Sequence, residues 1–134
     1  MLRDQPSVAA RLDQELVGWL TTVNTDGQPQ ASAVWHVTDG DELVVYSRAN
    51  ATRLTNLESN PRVAYNLRGD AQGDTVVTME GTARVDSTSP GPLADMTYMT
   101  KYTDEMMRLG WTPEEYGEEF PVVIRITITR IRSS

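Results

Sequence analysis

Two rhythms of apolar and polar positions run along the chain. Val8, Leu12 and Leu16 recur every fourth residue, so Ser7–Glu15 predicts a short helix with Ser7 placed to cap it. From Trp19 to Thr25 the chain is rich in β-branched and aromatic residues and ends at Asp26-Gly27. Pro29–Thr38 follows, and the pair predicts a hairpin. In its second strand Ala31, Ala33, Trp35 and Val37 share one face, and Gln30, Ser32, Val34 and His36 the other. Asp39-Gly40-Asp41 is a turn signal, and Glu42–Arg48 a third strand. Asn50 is placed to cap a helix to about Ser59, with Leu54 and Leu57 on its buried stripe, ended by Asn60-Pro61. Arg62–Arg68 and Thr75–Val85 are the fourth and fifth strands, and Gly81 marks a bulge or a close backbone approach. Helical pattern returns from Pro92 to about Leu109. It restarts at Thr112-Pro113-Glu114-Glu115, which combines a cap, a proline at the first position and acids in the first turn. In Pro121–Arg132, Ile124, Ile126 and Ile128 alternate with Arg125, Thr127 and Thr129, so one face is buried. The prediction is mainly β: six strands in an antiparallel sheet that closes into a barrel, with short flanking helices, as one domain over residues 1–134.

Composition narrows the chemistry. The net charge of −7 disfavours nucleic acid as a partner, because phosphates would be repelled. With no cysteine, disulfides, thiolate metal sites and cysteine nucleophiles are excluded. His36 is the only histidine, which leaves no histidine-rich metal site, and no metal is expected. Neither a secretory signal nor an apolar run of membrane-spanning length is visible, so the expected location is the cytoplasm, with no membrane partner. An enzyme built from so few reactive side chains would rely on a bound cofactor.

The segment Tyr46–Leu57 carries the most chemistry: a strand end, a short polar turn and a helix start. Backbone N–H groups at such a start carry partial positive charge. Ser47 and Thr52 add hydroxyls, and Arg48 and Arg53 add charge-assisted donors, a set that suits a phosphate. The same residues also make a plain capped helix with solvated arginines, and from the residues alone both readings stand.

Three blocks of sequence then resemble a known family. They are the L-x-T-V-N-x-D-G-x-P hairpin at Leu20–Pro29, the pair Val34-Trp35, and the Ser-Arg-x₄-Arg-x₃-Leu-x₂-Asn-Pro-Arg-Val block at Ser47–Val63. In this order the chain resembles the pyridoxamine-5′-phosphate-oxidase-like superfamily of flavin-binding split barrels, and more narrowly its branch of oxidoreductases that use coenzyme F420. The resemblance covers about residues 12–86 and the last strand; segment 92–120 carries no matching motif. It implies a split-barrel homodimer with two cofactor sites at the subunit interface. It places Ser47 and Arg48 as strand-end phosphate donors and Thr52 and Arg53 as the pair at the helix start. Lysine is common at the last of these positions, and Arg53 keeps the charge with a different geometry. Ser32, Ala33, Val34 and Trp35 would lie beside the ring, and Asn56 would support the site or bind the tail. The expected cofactor is F420, with FMN as the alternative, and the expected substrate is a small conjugated molecule. No catalytic side chain is assigned. The acids crowded into residues 86–119 would repel the polyglutamate tail of F420 and send it toward Arg48 and Arg53.

Other readings stay open beside this one: a non-catalytic split barrel that binds haem or stores a cofactor, and a structural or interaction module. Among single residues, His36 is expected at the surface or hydrogen-bonded in the barrel rather than at the ring, and Trp35 in the core rather than the cleft wall. Met96, Met99, Met106 and Met107 are expected as gap-fillers in the core or an interface. Trp111 and Tyr116 lid a pocket, sit at an interface or simply pack. Glu114, Glu115, Glu118 and Glu119 are expected to form a solvated face.

Overall fold

In the computed structural model, which describes residues 1–133, helix α1 (Pro6–Gln14) precedes the first two strands, β1 (Gly18–Val23) and β2 (Pro29–Val34). Strands β3 (Val37–Asp39) and β4 (Glu42–Ser47) lead to helix α2 (Thr52–Ser59), and β5 (Arg62–Leu67) and β6 (Val77–Val85) follow. Helices α3 (Met96–Arg108) and α4 (Pro113–Glu119) precede the long last strand, β7 (Val122–Ser133). The strands form one antiparallel sheet of order β2-β1-β5-β6-β7-β4-β3.

Two expectations change. Among the described residues there are seven strands rather than six, and the sheet is not closed by hydrogen bonds. Both differences have one cause. The second strand does not run unbroken from Pro29 to Thr38. It leaves β1 after Val34, and after Trp35-His36 the chain pairs with β4 at the opposite edge. His36 and Val37 are consecutive and both buried, which strict alternation cannot give.

Strand β4 holds the molecule together. Leu43 and Val45 face the main core with Leu12, Leu20, Tyr65 and Ile126, while Val44 and Tyr46 face a second core under α3 and α4 with Tyr98, Tyr102 and Met106. Burial on both faces explains its unbroken apolar run. Gly81 stands at a register shift in the β6–β7 ladder, and a side chain there would meet the Thr127 carbonyl at 2.2 Å, so the predicted bulge is present. Ile124, Ile126 and Ile128 are buried, as the alternation requires. Met99 and Met106 are buried, whereas Met96 and Met107 are exposed.

The helix starts show which local signals decide. Thr112 accepts from the Glu115 amide and Glu115 reaches back to the Thr112 amide, a complete capping box. Ser7 instead lies inside α1, which starts at Pro6, and Asn50 lies two residues before α2, whose capping position is Ala51. Asp95 caps α3 through the Tyr98 amide and separates it from a 3₁₀ turn at Pro92–Ala94 that the sequence reads as part of one helix.

The crossing at Trp35-His36 is pinned by polar contacts. The Leu12 carbonyl can only accept, so His36 Nε2 carries the proton and donates to it at 2.9 Å. Nδ1 then accepts from the Tyr65 hydroxyl. The His36 amide donates to the Tyr102 hydroxyl at 2.8 Å, and Lys101 Nζ donates to the carbonyls of Leu12 at 2.7 Å and His36 at 3.1 Å. Burial, reinforced by the Lys101 charge, lowers the His36 pKa to about 4. The imidazole is therefore neutral in the fold. The unfolded chain takes up a proton below its ordinary pKa of 6.5, so stability is full above that pH and falls as pH drops toward 4. The expected loss approaches about 3 kcal/mol, read as a falling urea midpoint between pH 7 and 4.5. Because His36 is the only histidine, its ring proton resonance is expected to stay at the neutral position down to about pH 5.

Candidate functional site

Three elements converge on one guanidinium. Arg53, in the first turn of α2, donates from Nη1 to Ser47 Oγ on β4 at 3.0 Å. It donates from Nη2 and Nε to Ser32 Oγ on β2 at 3.1 and 3.3 Å. It thus bridges the last residue of β4 to β2, an edge strand. Arg53 is half-buried, and desolvation lowers its pKa; among the described residues it forms no ion pair. Among the described residues it is a cation held by neutral hydroxyls, a receptor for an anion.

Arg53 sits at the boundary of two clefts. The polar one, about 390 Å³, is lined by Thr22, Gln30, Ser32, Thr52, Arg53 and Asn56. The aromatic one, about 260 Å³, is lined by Val34, Trp35, Tyr46, Trp111, Tyr116 and Phe120 along with Arg53 and Ala33. Asn56 is buried and donates from Nδ2 to Thr22 Oγ1 and Gln30 Oε1, both at 2.9 Å, tying α2 to β1 and β2 beneath the polar cleft. Trp35 packs against the second core and also lines the cleft. It is half-buried, stacked between Tyr102 at 4.6 Å and Tyr116 at 5.4 Å, and Tyr116 continues the stack to Phe120 at 4.4 Å. Such planar contacts stiffen a flat wall.

The structure separates the residues read from the sequence into groups. Ser32, Ser47, Thr52, Arg53 and Asn56 come together around the polar cleft, Ser47 through its bond to Arg53. Ala33, Val34 and Trp35 line the aromatic one. Arg48 lines neither cleft. Its guanidinium lies 4.9 Å over the Phe120 ring and pairs with Glu119 at 3.5 Å, so it does not stand apart from acids. His36 lines neither cleft; it is fully buried in the crossing. Sequence reading missed Thr22, Gln30, Tyr46 and Phe120. Thr22 and Gln30 are directly paired on β1 and β2, so the hairpin register would have placed them side by side. Phe120 carries no local signal, because it reaches the site from the far end of α4.

A third cleft, about 310 Å³, lies beside Tyr46 and Asp95 and contains Arg125. That arginine is already paired with Asp39 at 2.9 Å and Asp86 at 2.8 Å, so it offers no comparable uncompensated charge. Among the described residues no group of His, Cys, Asp or Glu is arranged to hold a metal ion, and no helix is long and apolar enough to cross a membrane.

A scan of protein families matches residues 5–134 to the pyridoxamine 5′-phosphate oxidase family. The chain belongs to this family. Among solved structures, a conserved hypothetical protein of Mycobacterium tuberculosis is 26% identical with a TM-score of 0.77, covering 96% of this chain and 82% of that one. A structure described as an F420 reductase is 25% identical with a TM-score of 0.70, covering 92% and 94%. The haem storage protein HutZ of Vibrio cholerae shares the fold at 18% identity and a TM-score of 0.66, covering 96% and 93%. No curated protein sequence matches the chain. The oxidase family match spans α3 and α4, where no motif is visible in the sequence.

Asn56→Ala is expected to lower unfolding stability by about 1–2 kcal/mol, because it strands the buried Thr22 hydroxyl and loosens α2. Chemical denaturation of the variant against the parent chain measures this.

Proposed function

We propose that this member of the oxidase family is an oxidoreductase that binds coenzyme F420 and acts on a small conjugated organic molecule. The observation that carries the reading is Arg53, a half-buried cation that among the described residues bonds to serine hydroxyls alone, standing between a polar cleft and a flat aromatic one. A cofactor that joins a phosphate to a planar ring needs those two environments side by side. The 25% identical F420 reductase supports the choice of ring.

In this reading Arg53, Ser32, Ser47 and Thr52 hold the phosphate, and Ala33, Val34 and Trp35 border the ring. The bound coenzyme supplies a two-electron hydride carrier. The protein's part is to orient and to exclude water. The Trp35–Tyr116–Phe120 stack forms a rigid wall, and Trp111 covers the same cleft. Asn56 holds α2 against the β1–β2 hairpin, so that Arg53 meets Ser32 on a fixed backbone. His36 has no part in proton transfer, since it is neutral and spent in structural bonds. The functional unit in this reading is a homodimer, in which a second copy covers the open sides of both clefts.

Titration with F420 and FMN side by side tests the cofactor. Binding of F420 in preference to FMN is expected; tight FMN with no F420 binding would make the protein a flavin enzyme, and binding of neither would remove the proposal. Arg53→Ala is expected to weaken F420 binding roughly tenfold to a hundredfold, the effect of a lost hydrogen bond to a charged group of about 1.5–3 kcal/mol. Light scattering at micromolar concentration is expected to give twice the monomer mass of 14.9 kDa.

A further inference from the structure

A further cleft, about 660 Å³, shares no residue with the two that meet at Arg53. Its polar groups come from Asp13 of α1, Thr38 of β3, and Thr97, Thr100 and Lys101 of α3. Lys101 is the only lysine of the chain, against eleven arginines. It is half-buried and, unlike the half-buried Arg11 and Arg125, forms no ion pair among the described residues. Its Nζ donates to the carbonyls of Leu12 at 2.7 Å and His36 at 3.1 Å. A neutral amine has two N–H donors, so these two acceptors satisfy it and leave its lone pair unused. An ammonium carries a third donor, which meets no protein acceptor among the described residues. Burial lowers the Lys101 pKa to about 8, against the smaller opposing pull of Asp13 and Glu15. The Tyr102 ring, with its centroid 5.1 Å from Nζ, also favours the charged form.

Neither carbonyl depends on Lys101 alone. Leu12 also accepts from His36 Nε2 at 2.9 Å, and the Tyr102 hydroxyl stands 2.9 Å from the His36 carbonyl. The amine can therefore change its chemistry without orphaning a buried acceptor. We propose that Lys101 is an acylation site, whose amine attacks a small activated acyl donor of the acyl phosphate class in this cleft and, as an amide, holds α3 less firmly to the crossing at His36. The bond between nitrogen and the acyl carbon forms, the bond from that carbon to the phosphate oxygen breaks, and one amine proton leaves with the phosphate. An amide keeps one N–H, enough for the Leu12 carbonyl, whereas an imine formed with an aldehyde would keep none. Arginine could hold the same carbonyls, but it does not release a proton to become a nucleophile. Acylation also removes the Lys101 charge, which helps to keep the His36 pKa low.

Acetyl phosphate is the probe, with Nα-acetyl-lysine amide in the same solution as the reference amine, and peptide mass mapping reads the uptake. At pH 8 the folded protein is expected to take an acetyl group at Lys101 about tenfold faster than the reference does, because far more of its amine is unprotonated. The Lys101 rate should level off above about pH 8, while the reference rate keeps rising toward the ordinary lysine pKa of 10.5. A rate at or below the reference at pH 8, or one that follows the reference up to its own pKa, overturns the proposal. In the acetylated protein the His36 titration midpoint, read from its ring proton resonance, is expected to rise above about 4. Lys101→Arg keeps the charge and is expected to hold that midpoint at the parent value after the same treatment. An unmoved midpoint in the acetylated parent, or an equal rise in Lys101→Arg, overturns the link between Lys101 and the crossing.

Discussion

Between Val34 and Val37 the chain must cross from one edge of an open sheet to the other, and the polar atoms of that crossing must be satisfied away from water. Unpaired buried amides and carbonyls cost far more than their bonds gain. His36 solves most of the problem. Its ring links α1, through the Leu12 carbonyl, to β5, through Tyr65, while its own amide and carbonyl are taken by Tyr102 and Lys101 of α3. Two helices and one strand are thus fastened at a single residue. That arrangement lets a residue that titrates in solution serve as a fixed neutral strut.

The clefts follow from this crossing. Because β2 pairs only with β1 and stops at Val34, Ser32 is left on an edge strand, opposite the end of β4 and the start of α2. Arg53 spans the gap between Ser32 and Ser47. Trp35, the first residue past the strand, is turned into the stack between Tyr102 and Tyr116 instead of continuing the sheet. The aromatic cleft opens at this break, beside Val34 and Trp35, while the polar cleft lies between the β1–β2 hairpin and α2.

Much of the fold was legible where the cause is local. The Thr112–Glu115 capping box, the Asp-Gly hairpin, the isoleucine alternation in β7 and the bulge glycine all depend on residues a few positions apart or on backbone geometry alone. The phosphate-type segment was legible for the same reason, since Ser47, Thr52 and Arg53 lie within one strand–turn–helix unit. Caps failed where an equally local rival existed. Asn50 sits in a turn in which the Arg48 carbonyl already accepts from the Ala51 amide, so α2 starts later and without a side-chain cap. The break at Trp35 was invisible because apolar alternation continues through it, and nothing in the local chain says that the pairing partner changes.

The sequence by itself determined which chemistries are excluded, most of the strand and helix positions, and the cluster of donors at Ser47–Arg53. Each of these depends on residue type and short spacing. Only the tertiary structure decided which of the two arginines is uncompensated. Arg48 and Glu119 are far apart in the chain, and their pairing exists only because α4 folds back against the end of β4. Charge balance at a site is a property of distances in space, and Coulomb energy takes no account of order along the chain. The same holds for His36. Its identity was plain from the start, but its neutrality comes from burial and from Lys101 of α3, and both were supplied by the fold.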